Sequence, residues 1–176
     1  MKKTFLSLIS LIVFGAVIAG AQTLAVPGAE VAKDVPNARV LPNPKTTYKV
    51  LFDVGKATPK DGEVNPILAA AGRYVNTLAK YGVDAEHRKI AVIFHQGGTP
   101  YIMNNDAYKE RTGKDNPNVA IIQALKKAGV EFHVCGQAVL GAKIDQKNIM
   151  PEIQVDLWAL TTIVELEMQG YVRIGG

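Results

Sequence analysis

The sequence predicts an α/β domain of three layers, with a mainly parallel five-stranded sheet between helices. Three observations predict it. Three β-rich runs each end at or just before a glycine-containing turn, and the first two are apolar on consecutive positions, as strands covered on both faces are. Helix-periodic segments separate the runs and carry cap signals at their ends. Every connection is too long for a hairpin and long enough for a crossover helix, so the strands read as right-handed βαβ units.

The chain opens with Met1-Lys2-Lys3, then an apolar run from Phe5 to Ala19 interrupted only by Ser7 and Ser10, then Ala19-Gly20-Ala21. This is the pattern of a secretory signal peptide over residues 1–21, cleaved before Gln22. The run is shorter than the ~20 residues of a membrane span. No cysteine follows the small residues, so no lipid anchor and no stable membrane attachment are expected. The mature protein is expected to be exported, periplasmic or secreted. Residues 22–47 form an extended N-terminal segment, because Pro27, Pro36, Pro42 and Pro44 break any regular element. It reads either as a linker or as a strap held across the domain.

The α/β domain occupies residues 48–176. Tyr48–Val54 is the first strand, Lys89–His95 the second and Val130–Cys135 the third. Between the first two, Ile67, Leu68, Ala71, Val75, Leu78 and Ala79 recur at helix spacing. Asn65 caps that helix, Pro66 starts it and Gly82 ends it. Asn116-Pro117 opens a second helix, with Ala120, Ile121, Ala124, Leu125 and Ala128 at helix spacing, and Gly129 closes it. A further helix is predicted over 157–169, with Leu157, Leu160, Thr161, Val164 and Met168 facing inward. Ile153–Val155 and Tyr171–Ile174 read as the last two strands. The Gly98–Pro117 stretch is a long insertion with a short helix at 105–111, of the kind that covers a pocket or forms an interface.

Composition narrows the function classes. The chain is 48% hydrophobic and 20% charged, which excludes a disordered protein. A single cysteine excludes an intrachain disulfide and a cysteine-rich zinc site. Losing Lys2 and Lys3 with the signal peptide takes the formal charge from +4 to +2, and no basic stripe with interleaved aromatics is present, so nucleic acid is not an expected partner. HExxH and G-x-S-x-G are absent. No metal site and no cofactor are expected.

Ligands gather at the carboxyl ends of the strands in open α/β sheets. Four sets fall there: Asp53 with Gly55 and Lys56; His95 with Gln96, Gly97 and Gly98; Cys135 with Gly136 and Gln137; and Asp156 with Trp158. Cys135 precedes a segment, Gln137–Ala142, whose helical form would favour a thiolate through its N-terminal amides. A thiolate can accept or donate sulfur or form a mixed disulfide. The alternative is a buried thiol acting as a small hydrophobe. His95 reads as a general base for Cys135, or as a hydrogen-bonded turn histidine. Gly97 and Gly98 would let a ligand approach the backbone. Gln137, Asp53 and Tyr108 are the remaining ligand-binding candidates, with Tyr101 a further contact residue. His87 and His133 are weaker candidates, one in a polar surface stretch and one between Phe132 and Val134 within a strand.

The ordered set of pieces resembles the DsrE/DsrF-like sulfur-relay family. Tyr48-Lys49-Val50-Leu51-Phe52-Asp53, Val92-Ile93-Phe94-His95-Gln96-Gly97-Gly98, and Ala107-Tyr108-Lys109-Glu110-Arg111-Thr112-Gly113 with Asn116-Pro117-Asn118 carry the resemblance. So do Gly129-Val130-Glu131-Phe132-His133-Val134-Cys135-Gly136-Gln137, and Ala159–Leu166 with Gln169-Gly170-Tyr171. The match covers about 48–174 and is most similar to the exported, single-domain branch. The resemblance implies homo-oligomers, trimers or hexamers, and a persulfide on a cysteine at the place of Cys135, with a sulfur donor or acceptor protein as partner. The Cys-Gly-Gln sequence departs from the alanine-rich helix start of the cytoplasmic relay members. Leu157, Trp158, Tyr101 and Ile102 are apolar residues near element ends that would suit an oligomer interface. Two functions follow: a sulfur carrier or sulfurtransferase-like protein acting through Cys135, or a non-catalytic module binding a small ligand or partner at the strand ends.

Overall fold

The computed structural model describes residues 24–58, 60 and 62–176. The expected signal peptide, 1–21, lies outside the described residues. Five strands build one parallel sheet: β1 (Tyr48–Val54), β2 (Arg88–Phe94), β3 (Glu131–Cys135), β4 (Gln154–Asp156) and β5 (Val172–Gly175). Their order is β4-β3-β2-β1-β5. Among the described residues, five α-helices accompany them: α1 (Pro66–Lys80), α2 (Asn105–Thr112), α3 (Val119–Lys127), α4 (Gly136–Gly141) and α5 (Ala159–Met168).

The order explains the three layers. The chain steps β1, β2, β3, β4 in one direction, then returns to place β5 beyond β1. Crossovers of constant right hand put helices on opposite faces when the direction reverses. α1 and α3 therefore cover one face, packing Leu68, Ala71, Val75, Ile122 and Leu125 on Val50, Phe52, Val92 and Phe132. α5 covers the other, where Ala159, Ile163 and Leu166 share a core with Leu51, Ala91, Ile93 and Cys135. The strand period of two sorts each strand between these two cores.

Helix α1 forms as its punctuation predicts. Asn65 Oδ1 accepts from Ile67 N at 2.9 Å, Pro66 occupies the first turn, and Gly82 follows at φ +80°. Helix α3 starts two residues later than the Asn116-Pro117 signal. Asn116 is buried instead and its Nδ2 donates to Tyr101 O and Met103 O, tying the insertion to the core.

The inward face predicted for the last helix is its outward face. Leu157 and Met168 are 76% and 83% exposed, and Leu160 and Val164 are also exposed, while Ala159, Ile163 and Leu166 turn inward. Both stripes have helical spacing, so periodicity could not choose between them. Tyr101 and Ile102 also depart from the expected interface, being buried in the main core.

Residues 24–34 are a strap on α1. Val26 is fully buried, and Asn76 binds the strap backbone on both sides. Asn76 Oδ1 accepts from Val26 N at 2.8 Å, and its Nδ2 donates to Val26 O, Ala29 O and Glu30 O at 3.0–3.1 Å. Gly72 makes room, since a Cβ there would lie 2.7 Å from Ala29 Cβ. Further along, Ala32 N donates to Thr77 Oγ1, and Lys80 Nζ reaches Asp34 Oδ1 at 2.6 Å and holds that exposed carboxyl below its usual pKa.

Candidate functional site

The carboxyl ends of β1, β2, β3 and β4 form one edge, and the period of two puts Asp53, His95, His133, Cys135 and Asp156 on the α5 face of the sheet or at its rim. Cys135 pairs in register with Asp156, and Phe94 with Val134, so His95 and Cys135 follow each other on neighbouring strands.

The imidazole of His95 turns away from Cys135, toward β1. Its Nε2 lies 2.5 Å from Asp53 Oδ1. Gly55 makes this reach available, because a Cβ there would stand 2.9 Å from His95 Cε1 and Nε2. Asp53 is 2% exposed, and a buried carboxylate needs a counter-charge or donor. His95 supplies one on Oδ1, and Arg173 Nη1 stands 3.6 Å from Oδ2.

The turn after His95 is packed, not open. Gln96 takes φ +46°, a strained value for a residue with a side chain, and starts a 3-10 helix over Gln96–Ile102. Gly97 N donates to Gly55 O and Gly98 N to His95 O, so both amides are used within the protein. A Cβ on Gly97 would meet Ala57 N at 2.8 Å, and one on Gly98 would meet Val54 O at 2.0 Å. These glycines let the turn dock on the end of β1. Tyr108 lies in the main core with its ring 6.5 Å from that of Tyr101, whose Oη accepts from Thr58 N at 2.6 Å.

Cys135 is 4% exposed and belongs to the smaller core, with Ala159 and Ile163. It is the last residue of β3, and α4 starts directly after it. Gly136 permits a close crossing, since a Cβ would fall 2.6 Å from Asp156 O. Gln137 reaches over the same connector, its Nε2 donating to Leu157 O at 3.4 Å. No hydrogen bond joins Cys135 to His95 among the described residues.

A second Asp–His pair flanks Cys135. His133 Nδ1 donates to Asp156 Oδ2 at 2.8 Å, and both side chains are largely buried. Strand alternation puts His133 on the face of Cys135, opposite Phe132 and Val134. That alternation was the signal in the sequence, and a strand-interior histidine next to two core residues obscured it. At the far end of this core, burial raises the pKa of Tyr171, with the Glu131 carboxylate adding to the effect. No three His, Cys, Asp or Glu side chains among the described residues converge as metal ligands.

The model of the DsrE/DsrF-like family matches residues 49–174. The chain belongs to the DsrE/DsrF-like family. Among solved structures it is similar to MTH1491, a protein of unknown function from Methanobacterium thermoautotrophicum, at 18% identity and a TM-score of 0.53. That match covers 72% of this chain and 99% of the other, and it shows the fold. No curated protein matches the chain.

Proposed function

We propose that this DsrE/DsrF-like protein carries sulfur on Cys135. The observation that carries the reading is the position of the chain's one cysteine at the carboxyl end of β3, flanked by the His95–Asp53 and His133–Asp156 pairs. In the transfer, Cys135 Sγ attacks the outer sulfur of a donor persulfide, held on a small thiol or a partner protein. One S–S bond forms on Cys135 and one breaks in the donor. The donor leaves as a thiol carrying the proton that Cys135 loses, so no net oxidation occurs. The reverse step passes the sulfur to an acceptor thiol. Incubation with a low-molecular-weight persulfide, followed by cyanide release of sulfane sulfur, should load the wild-type chain with about one equivalent, and Cys135→Ser with none above background. Equal loading of both would end the reading.

A second reading has its own support. The burial of Cys135 among apolar side chains suits a packing role, with the strand-end edge acting as a binding module for a small ligand or partner.

Export and assembly belong to the same proposal. The basic start, apolar run and Ala19-Gly20-Ala21 support cleavage before Gln22. N-terminal sequencing of the exported form should start at Gln22; a mature chain starting at Met1 would contradict export. No helix among the described residues is long and apolar enough to cross a membrane. Leu157, Trp158, Leu160, Val164 and Met168 leave an apolar stripe on α5 and its approach, which supports a homo-oligomer, trimer or hexamer. Light scattering at micromolar concentration should return a multiple of the monomer mass, and a strict monomer would count against assembly.

A further inference from the structure

Asp156 gathers donors from three elements. Its Oδ2 accepts from His133 Nδ1 on β3 and from Thr162 Oγ1 on α5, each at 2.8 Å. Its Oδ1 accepts from Gln154 Nε2 on β4 at 2.7 Å. The carboxylate thus ties the second turn of α5 to the sheet, beside the residue with which it pairs, Cys135. Hydrogen bonds to a charged acceptor are stronger than neutral ones.

Beyond the apolar packing of Ala159 and Ile163, few polar ties among the described residues hold this end of α5. Trp158, at its N-cap, makes no side-chain capping bond. The nearby bond from Gln137 to Leu157 is long, at 3.4 Å. The apolar contact under the helix is the smaller of the two cores, and Ala159 and Ile163, which share that core with Cys135, belong to the same two turns. Beside them lies an open polar cleft of about 470 Å³, lined by His133, Asp156, Thr162 and Glu165 among others. The closed arrangement also carries a cost. His133 Nε2 is buried without a hydrogen-bond partner among the described residues, a penalty removed when water reaches it.

We propose that Asp156 and Thr162 form a latch that holds the start of α5 over Cys135 and sets how often the thiol is reached. The proposal deepens the sulfur-carrier reading and rests on it for its purpose, since a cysteine buried to 4% exposure must be uncovered before it can exchange sulfur. Asp156 and Thr162 are positioning residues in this scheme. They act through the helix and do not touch the reacting sulfur. The opening is a local one, of the low-stability kind that serves binding and lid motions.

The test is the rate at which N-ethylmaleimide labels Cys135 in the mature chain under native conditions, read by intact mass. Thr162→Val removes the hydroxyl and keeps the shape. It should label about tenfold faster, the equivalent of ~1.4 kcal/mol. Thr162→Ser keeps the hydroxyl and should label at the wild-type rate. Hydrogen exchange should quicken over residues 159–163 and stay unchanged over β1 and β2. Asp156→Asn carries the same comparison if Thr162→Val fails to fold. Labelling of Thr162→Val at the wild-type rate would overturn the latch, as would an acceleration matched by equal loss of protection in β1 and β2. The readout is alkylation of the free thiol. A chain that never carries sulfur can therefore still show the latch, and a sulfur carrier can still lack it.

Discussion

Gly98→Ala is expected to cost more than about 3 kcal/mol of stability, because its Cβ would be driven into backbone that cannot retreat. The new carbon would stand 2.0 Å from Val54 O and 3.0 Å from Val54 C, at the end of a central strand paired on both sides. The turn after His95 must then lift off β1. With it go the bonds from Gly97 N to Gly55 O and from His95 N to Val54 O, at 3.0 and 3.3 Å, and the register that holds His95 against Asp53. At 2–4 °C per kcal/mol for a chain of this size, the melting temperature should fall by at least roughly 6–12 °C. Calorimetry is the check. A variant melting within about 2 °C of wild type would mean that the turn has slack the structure does not show.

Asn76→Ala should be nearly as costly, at about 3 kcal/mol, through the strap. The side chain is buried on α1 and makes four hydrogen bonds to the backbone of Val26, Ala29 and Glu30. Alanine would leave a buried amide and its neighbouring carbonyls without partners, each a desolvation cost of ~1–3 kcal/mol unless the strap detaches. Asn76→Asp separates shape from chemistry. It keeps an acceptor for Val26 N but sets a carboxylate oxygen against three carbonyls, so it should destabilise at least as much as alanine. Limited proteolysis should then cut within residues 24–34 of both variants while wild type resists. Wild-type resistance in Asn76→Ala would show that Val26 burial alone anchors the strap.

The central strands were legible in the sequence because burial on both faces leaves a continuous apolar run, as in Tyr48–Val54 and Arg88–Phe94. Helix α1 was legible from Asn65, Pro66 and Gly82, whose signals are local. The face of α5 was not. That helix presents apolar residues inward at Ala159, Ile163 and Leu166 and outward at Leu160, Val164 and Met168, and spacing is blind to which side meets the sheet. Cys135 could be put at a strand end from its neighbours alone. The partner of His95 could not, since Asp53 is 42 residues away and meets it only through the parallel register of β1 and β2 and the missing Cβ of Gly55. His133 was set aside as a strand-interior residue, and its bond to Asp156 depends on the edge strand β4 lying beside β3. The strap hid for a similar reason. An asparagine in mid-helix gives no hint that its amide serves a segment some 50 residues earlier.

The most direct measurement of sulfur carriage is the intact mass of the protein isolated from cells without reductant. The account predicts a species heavier than the mature chain by one sulfur atom, mapped to Cys135, removed by reductant and absent from Cys135→Ser. A chain that keeps the unmodified mass, and still does so after exposure to a persulfide donor with α5 loosened by Thr162→Val, would contradict it.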